Sequence, residues 1–488
     1  MSLLDADVWT GKIAAGGWVA GDGEPLEVTE AATGAVIGTL GTASLEQVAE
    51  ASRRADRAQR EWARMTPAAR ATVLRKAGDI FERDAELIKP WIVRESGGTW
   101  AKAGTEVLAA ISECREGAAL PAHPHGEVLT TNKPRWSIAR RVPAGVVSVI
   151  APFNYPLTLA IRSVAPALAL GNAVLLKPDP RTSVCGGVVI QRVFEEAGLP
   201  EGVLQVLPGG ADVGAAVVSA PEVRVISFTG STAAGRHVGK AAAEHMKRAH
   251  LELGGNNAII VLPGADLDKA AAAGAFGSFL HQGQICQAAG RHLVHESQVD
   301  EYVAKLGAIA DAVRVGDPFA EEGVQMGPII DDRQFSAVRG IVDDAVAGGA
   351  QLVTGGPAEG RCFRPTVLSG VRPEMSVWKD EIFGPVAPVT SYSTIEEAIE
   401  LVNASEYGLS VAILGDAGLA MDVSDQIRSG VVHVNEQTVG DEASAPFGGM
   451  GASGNGSRFG GPGANFEAFT ETQWVTVRSE IETYKLPS

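Results

Sequence analysis

The sequence predicts an α/β protein built on two parallel-sheet units. Residues 142–228 alternate short apolar runs with helical segments, and a second alternation of the same kind begins at residue 257. Such alternation produces parallel strands joined by right-handed crossovers. The chain has 488 residues, too many for one hydrophobic core, so two or three domains are expected.

Residues 44–83 read as helices, with an Ala-rich segment at 48–55 and a second stretch from Pro67 to Phe81. Residues 135–141 alternate polar and apolar side chains, as an exposed strand or hairpin arm does, and 142–151 follows as a buried strand. Then come a strand at 174–176, a helix at 183–197 stopped by Gly198-Leu199-Pro200, a strand at 203–207, a helix at 211–219 and strands at 223–228 and 249–253. The second unit reads as a strand at 257–261, a helix at 267–280, a strand at 292–294 and a helix at 299–313. After a loop at 318–328, residues 345–356 read as turn, 362–368 as strand, 394–404 as helix and 410–414 as strand. The Gly-rich segment 447–463 reads as a long loop. Residues 472–477 form a terminal strand without a neighbour in sequence, suited to a sheet edge elsewhere on this chain or on another subunit.

Composition removes several classes of function. Hydrophobic residues make up 45% and charged residues 20%, as in ordinary globular proteins. A net charge of −17 disfavours nucleic acid and anionic membranes as partners. The four cysteines, Cys114, Cys185, Cys286 and Cys362, show no metal-ligand or disulfide-framework spacing, so no metal site is expected. Residues 1–20 lack an apolar core of signal length, and the apolar run 142–150 is too short to span a bilayer. A cytoplasmic protein is expected.

The residues that carry chemistry occur in order along the chain. Cys286, in Gly283-Gln284-Ile285-Cys286-Gln287, is a candidate nucleophile whose small neighbours allow close backbone approach and whose own N–H suits an oxyanion. Glu252, between Leu251 and Leu253, is a candidate general base. Asn154, between the two prolines of Pro152-Phe153-Asn154-Tyr155-Pro156, is a candidate oxyanion donor. Lys177 ends a parallel strand, where ligands bind in such sheets. The turn Gly230–Gly235, between a strand and a helix, suits a pyrophosphate at the helix N-terminus. Glu381 is a loop carboxylate able to hold ribose hydroxyls, with Phe383 beside it.

Together these segments resemble the aldehyde dehydrogenase superfamily over nearly the whole chain. They are PFNYP at 152–156, LLKP at 175–178, FTGSTAAG at 228–235, LELGG at 251–255, GQIC at 283–286, EIFGP at 381–385 and PFGG at 446–449. The resemblance implies Cys286 as nucleophile, Glu252 as base for thioester hydrolysis and Asn154 as oxyanion amide. It implies Lys177 and Glu381 at the riboses, Phe383 beside the nicotinamide ribose, and Gly230, Ser231 and Gly235 under the pyrophosphate of NAD or NADP. It also implies a Rossmann-like cofactor domain at 1–121 and 142–252, a catalytic domain at 253–463, and a small β arm at 122–141 and 464–488 that bridges a homodimer or homotetramer.

Within the superfamily the chain looks most like the benzaldehyde and vanillin dehydrogenases, through KPDPRT at 177–182, CGG at 185–187 and HVNEQTV at 433–439. Two positions depart from many relatives. Pro180 stands where a glutamate repels a 2′-phosphate, and Arg181 follows it, so NADP is expected to be tolerated. Arg458 stands where some relatives carry a second glutamate, which removes any proton relay through that acid. The expected substrate walls are Leu157, Ile161, Ile285, Gln287 and Phe447, with the loop 435–442, apolar enough for an aromatic ring. Arg162 is expected to turn away. Presence of Glu252 favours hydrolysis to a free acid over transfer to coenzyme A. The alternatives are an aliphatic aldehyde or semialdehyde substrate, a cofactor-free thioesterase or acyltransferase, and a silent binding protein.

Overall fold

The computed structural model describes residues 2–484 and 486. Met1, Lys485, Pro487 and Ser488, which the expected limits 1–121 and 464–488 include, lie outside the described residues. The fold is α/β with two parallel sheets. The body of the first, in spatial order, is Arg248–Glu252, Val223–Thr229, Val146–Ile150, Ala173–Lys177 and Leu204–Val206. The chain builds outward from Val146–Ile150 to one edge, then returns to build the other. The reversal falls between Val146–Ile150 and Val223–Thr229, and ligands of such sheets bind beyond the strand carboxyl ends at that point. Two short antiparallel strands, Lys12–Ala14 and Trp18–Ala20, extend the far edge. Three residues carry too little alternation to be read as strands from sequence.

Helices with apolar faces cover this sheet, and two of them begin at clear start signals. Ser44 and Gln47 form a reciprocal capping box ahead of Leu45–Arg64, and Thr66 caps Pro67–Arg83 with Pro67 at its first position. Every residue of Ala173–Lys177 is buried, as a strand covered on both faces requires.

The second sheet runs Gln351–Pro357, Phe363–Ser369, Val386–Tyr392, Ala289–His295, Asn257–Val261, Ser410–Leu414 and Val431–Val434. All neighbours are parallel except the first pair. Here the expected turn at 345–356 is corrected. The helix Asp332–Ala347 enters that segment and the strand Gln351–Pro357 leaves it. The register of this edge strand shifts on both sides of Thr354, and Gly355 and Gly356 hold φ of +104° and +102°, so its side-chain alternation is broken and pairing with Phe363–Ser369 holds it. The expected loop 447–463 likewise ends early, in the helix Gly461–Phe469.

The third sheet pairs Trp136–Pro143 antiparallel with Thr470–Val477, from Pro143 opposite Thr470 to Trp136 opposite Val477, and Gly126–Val128 completes it. The terminal strand therefore has its partner on its own chain. Trp136, Trp474 and Val128 leave large apolar surface exposed on this sheet.

Candidate active site

A cleft of about 750 Å³ opens beyond the carboxyl ends of the first sheet and reaches into the second unit. Lys177, Arg181, Gly230 and Ser231 line it from the first unit, and Glu381 and Phe383 from the second. Asn154 and Cys286 stand on its wall. Pro180 and Gly235 do not line it.

One part of the cleft suits a dinucleotide. Ser231 accepts a hydrogen bond from the Ala234 amide as N-cap of Thr232–Glu244, a helix whose first turn presents amides and a positive dipole end to an anion. A Cβ on Gly230 would lie 2.7 Å from the Phe228 ring, and one on Gly235 would collide with Leu253. Glycine is thus needed where the turn and the helix pack against the sheet. Glu381 accepts from the Gly255 amide at 3.1 Å, and a Cβ on Gly254 would run into its carboxylate. Burial pushes the Glu381 carboxyl up to about 7. Burial also lowers the Lys177 ammonium, with Asp179 opposing. These residues, a Gly turn on a helix start with a lysine and a glutamate either side, fit a bound nicotinamide dinucleotide.

Arg181 corrects one expectation. It is not a free cation: it donates to both oxygens of Asp179 at 2.9 Å and to Asp331 at 2.7 Å. Its guanidinium also stacks 4.0 Å from the centre of the Phe153 ring. Phe153 in turn meets Phe383 edge to face at 5.8 Å, and Phe383 holds a left-handed φ of +50°.

Cys286 follows three consecutive left-handed residues, His281, Gln282 and Gly283, before the strand Ala289–His295. Gly283 is obligatory there, because a Cβ would strike the Gly384 carbonyl. Asn257 fixes the loop by donating to the Cys286 and Ala288 carbonyls, both at 2.8 Å. Burial pushes the Cys286 thiol up to about 12; Arg162 opposes this, while Glu381, Glu252 and Asp441 add to it. A thiolate there needs a compensating charge or a proton acceptor.

Asn154 is 3% exposed, just ahead of the helix Pro156–Ala169. Glu106 holds that helix start, accepting from the Leu157 and Thr158 amides at 2.9 and 3.2 Å. The lone Lys102–Glu106 spacing in an Ala-rich segment was the available signal for this support.

Glu252 ends the strand Arg248–Glu252 and stands beside Thr229 in parallel register. It is 2% exposed, and neither carboxylate oxygen has a hydrogen-bond partner among the described residues. Burial pushes it up to about 8, with Arg162, Arg458 and the nearby Gly449 backbone, too poorly aligned for a full hydrogen bond, opposing and Asp441 adding. It does not line the cleft; its neighbours Thr229 and Gly254 do. Arg458 donates to the Gly449 and Ser457 carbonyls.

The substrate walls are partly corrected. Leu157 and Ile161 are wholly buried in the core of the first unit. Helical phase is the reason: Leu157, Ala160, Ile161 and Val164 share the core-facing stripe, while Thr158 and Arg162, four apart, share another face. Ile285, Gln287 and Phe447 are buried near Cys286 and Arg162 and line neither this cleft nor the next cavity. Gln287 donates to the Gly440 carbonyl at 2.9 Å and so pins the loop 435–442.

Arg162 turns inward, contrary to expectation. Its Nη2 donates to Thr229 Oγ1 at 3.2 Å and its Nη1 to Asp441 Oδ2 at 3.3 Å. Its guanidinium lies over the rings of Phe447 and Phe459, at 5.0 and 5.4 Å. Arg162 is the sole charge in Pro156–Ala169, and a buried charge must be paired. That was the missed signal. Beyond Asp441 lies a second cavity of about 320 Å³, lined by Thr158, Glu113, Glu116, Glu442 and Asp441. Burial pushes Glu113 up to about 8, and the Asp441 charge adds to the effect.

The Aldehyde dehydrogenase family model matches residues 18–475. A vanillin dehydrogenase from an Amycolatopsis species is 56% identical over 99% of this chain and 100% of its own length. A benzaldehyde dehydrogenase [NAD(+)] from Pseudomonas putida is 46% identical over 98% of each chain. Among solved structures, a salicylaldehyde dehydrogenase from Pseudomonas putida G7 complexed with salicylaldehyde superposes with a TM-score of 0.94 at 34% identity, covering 98% of this chain and 99% of that one.

Proposed function

The chain belongs to the aldehyde dehydrogenase family, and from that premise we propose that it oxidises neutral aromatic aldehydes, of the benzaldehyde and vanillin type, to carboxylates with NAD or NADP. The observation that carries this reading is one cleft holding Cys286 and Asn154 beside the dinucleotide turn, with Glu252 on the adjacent strand in register with Thr229, which lines the cleft.

The Cys286 thiolate adds to the aldehyde carbon. The Asn154 side-chain amide and the Cys286 N–H donate to the alkoxide that forms. NAD or NADP, when bound, would supply the hydride acceptor, and Cys286 would then carry the acyl group as a thioester. Glu252 takes a proton from water, the water attacks the thioester, and the carboxylate leaves with the thiol restored. Lys177 and Glu381 would hold the riboses, and the amides after Ser231 would receive the pyrophosphate. Pro180 removes the repulsive carboxylate from the adenosine end, so a 2′-phosphate is tolerated.

The acidic cavity beyond Asp441 favours uncharged aldehydes over semialdehydes that carry a carboxylate. Apolar surface on Trp136, Trp474 and Val128 supports assembly into a homodimer or homotetramer through the arm sheet. No described helix is long and apolar enough to cross a membrane. A reduced nucleophile among four unpaired cysteines suits the cytoplasm.

The test is a panel of benzaldehyde, vanillin, hexanal and succinic semialdehyde, each with NAD and NADP, read as NAD(P)H absorbance. The aromatic pair should show the highest kcat/KM. A preference for the aliphatic pair would overturn the substrate class, and absence of reduced cofactor with every aldehyde would overturn the reaction.

A further inference from the structure

We propose that Arg162 is a positioning residue of this site: its guanidinium is the fixed positive charge against which both the Cys286 thiolate and the Glu252 carboxylate form. The inference rests on the roles proposed for those two groups.

The geometry fixes the charge in place. Thr229 and Glu252 are register partners on adjacent parallel strands, so their side chains leave the same face of the sheet, about 5 Å apart at the backbone. Arg162 reaches that face from the helix Pro156–Ala169 and donates to Thr229 Oγ1. Asp441 holds a second nitrogen, and the Phe447 and Phe459 rings flank the guanidinium. The side chain is buried, so the charge is poorly screened by solvent.

The nucleophile and the base share this environment. Glu252 is faced by Arg162 from that helix, and by Arg458 and Asp441 from loop segments. Cys286 is faced by Arg162, Glu252, Asp441 and Glu381. Arg162 reaches the base through Thr229, the register partner of Glu252, and reaches the nucleophile's loop through Asp441, whose neighbour Gly440 accepts from Gln287, the residue after Cys286. Asp441 opposes Arg162 at both groups, and Glu381 and Glu252 oppose it at Cys286. Both groups must lose a proton to work, and each would otherwise place an unpaired negative charge in a buried site.

The experiment compares Arg162→Met, Arg162→Lys and the double variant Arg162→Met/Asp441→Asn, which leaves no unpaired carboxylate if the single variant fails to fold. The first readout needs no aldehyde: iodoacetamide alkylation of Cys286 at pH 8, followed by peptide mass. Arg162→Met should alkylate about tenfold more slowly, the equivalent of about one unit in thiol pKa. Arg162→Lys should keep most of the wild-type rate, and the double variant should fall between. The second readout is the pH profile of kcat with benzaldehyde and NAD, whose acid limb should move up by about one unit in Arg162→Met. A wild-type alkylation rate and an unmoved acid limb in the Met variants would overturn the proposal. Alkylation that responds as expected in a protein that oxidises no aldehyde would sustain Arg162 and overturn the proposed function instead.

Discussion

The Lys102 ammonium lies 2.5 Å from one carboxylate oxygen of Glu106, and the two side chains are 1% and 0% exposed. The other Glu106 oxygen accepts the first amides of the helix that follows Asn154. One buried ion pair therefore supports the backbone that carries the proposed oxyanion donor. Lys102 also lies 4.8 Å over the ring of Tyr155, the residue between Asn154 and that helix. Replacing Lys102 by Met strands a buried carboxylate, at a cost of about 3–5 kcal/mol. Thermal unfolding should show a lower midpoint, and kcat should fall more than substrate affinity. An unchanged midpoint would refute the structural weight assigned to the pair.

Cys286→Ala should abolish aldehyde oxidation, because no covalent adduct forms. Glu252→Gln should leave the first turnover and slow the release of acid. In rapid mixing, a burst of NADH should precede a steady rate lower by about 10²–10⁴-fold. Intact mass should then show an acyl group on the protein. Full steady-state activity in Glu252→Gln would remove Glu252 from the role of base.

Burial raises Glu252 to about 8, and a base must be deprotonated to act, so kcat should climb with pH up to about that value when hydrolysis limits the rate. Stability should run the other way. Folding favours the protonated form of a carboxyl whose folded-state pKa lies above its unfolded value. That stabilisation is complete below the unfolded value near 4.5 and is lost as pH rises through about 8. Glu252→Gln removes the titration. The melting midpoint of the variant relative to wild type should therefore rise between pH 5 and pH 8, and a constant difference would contradict the buried, unpaired carboxyl.

NADP should be turned over with lower kcat/KM than NAD. Pro180 removes the repulsive acid, but Asp179 and Asp331 already neutralise Arg181. Asp331→Asn frees one face of the guanidinium and keeps an N-cap for Asp332–Ala347. Its NADP/NAD ratio of kcat/KM should rise. No NADP turnover in either protein would show that the Pro180 site excludes the 2′-phosphate.

4-Carboxybenzaldehyde should be a poorer substrate than benzaldehyde, because the carboxyl groups of Glu116, Asp441 and Glu442 gather at the second cavity. Added salt should narrow the gap by screening. Equal kcat/KM for the two at low salt would show that the cavity does not lie on the path of the aldehyde.

Cys286, Glu252, Asn154, Lys177, Gly230 and Glu381 stood out in the sequence as candidates because each sits in a short run whose neighbours constrain the backbone: prolines beside Asn154, glycines after Glu252 and before Cys286. The α/β layering was legible for the same local reason, since strand and helix leave different periods in the chain. Local pattern could not decide which face of a helix meets the site. Leu157 and Ile161 look like ring-contacting side chains until the packing of Pro156–Ala169 sends them to the core and brings Thr158 and Arg162 round instead. Nor could it join residues far apart in the chain: Arg162 finds Asp441 across 279 positions, and Arg181 finds Asp331 across 150. The charge of an arginine is written in the sequence, but its electrostatic effect depends on which carboxylates surround it in the dry interior, and only the tertiary structure decides that.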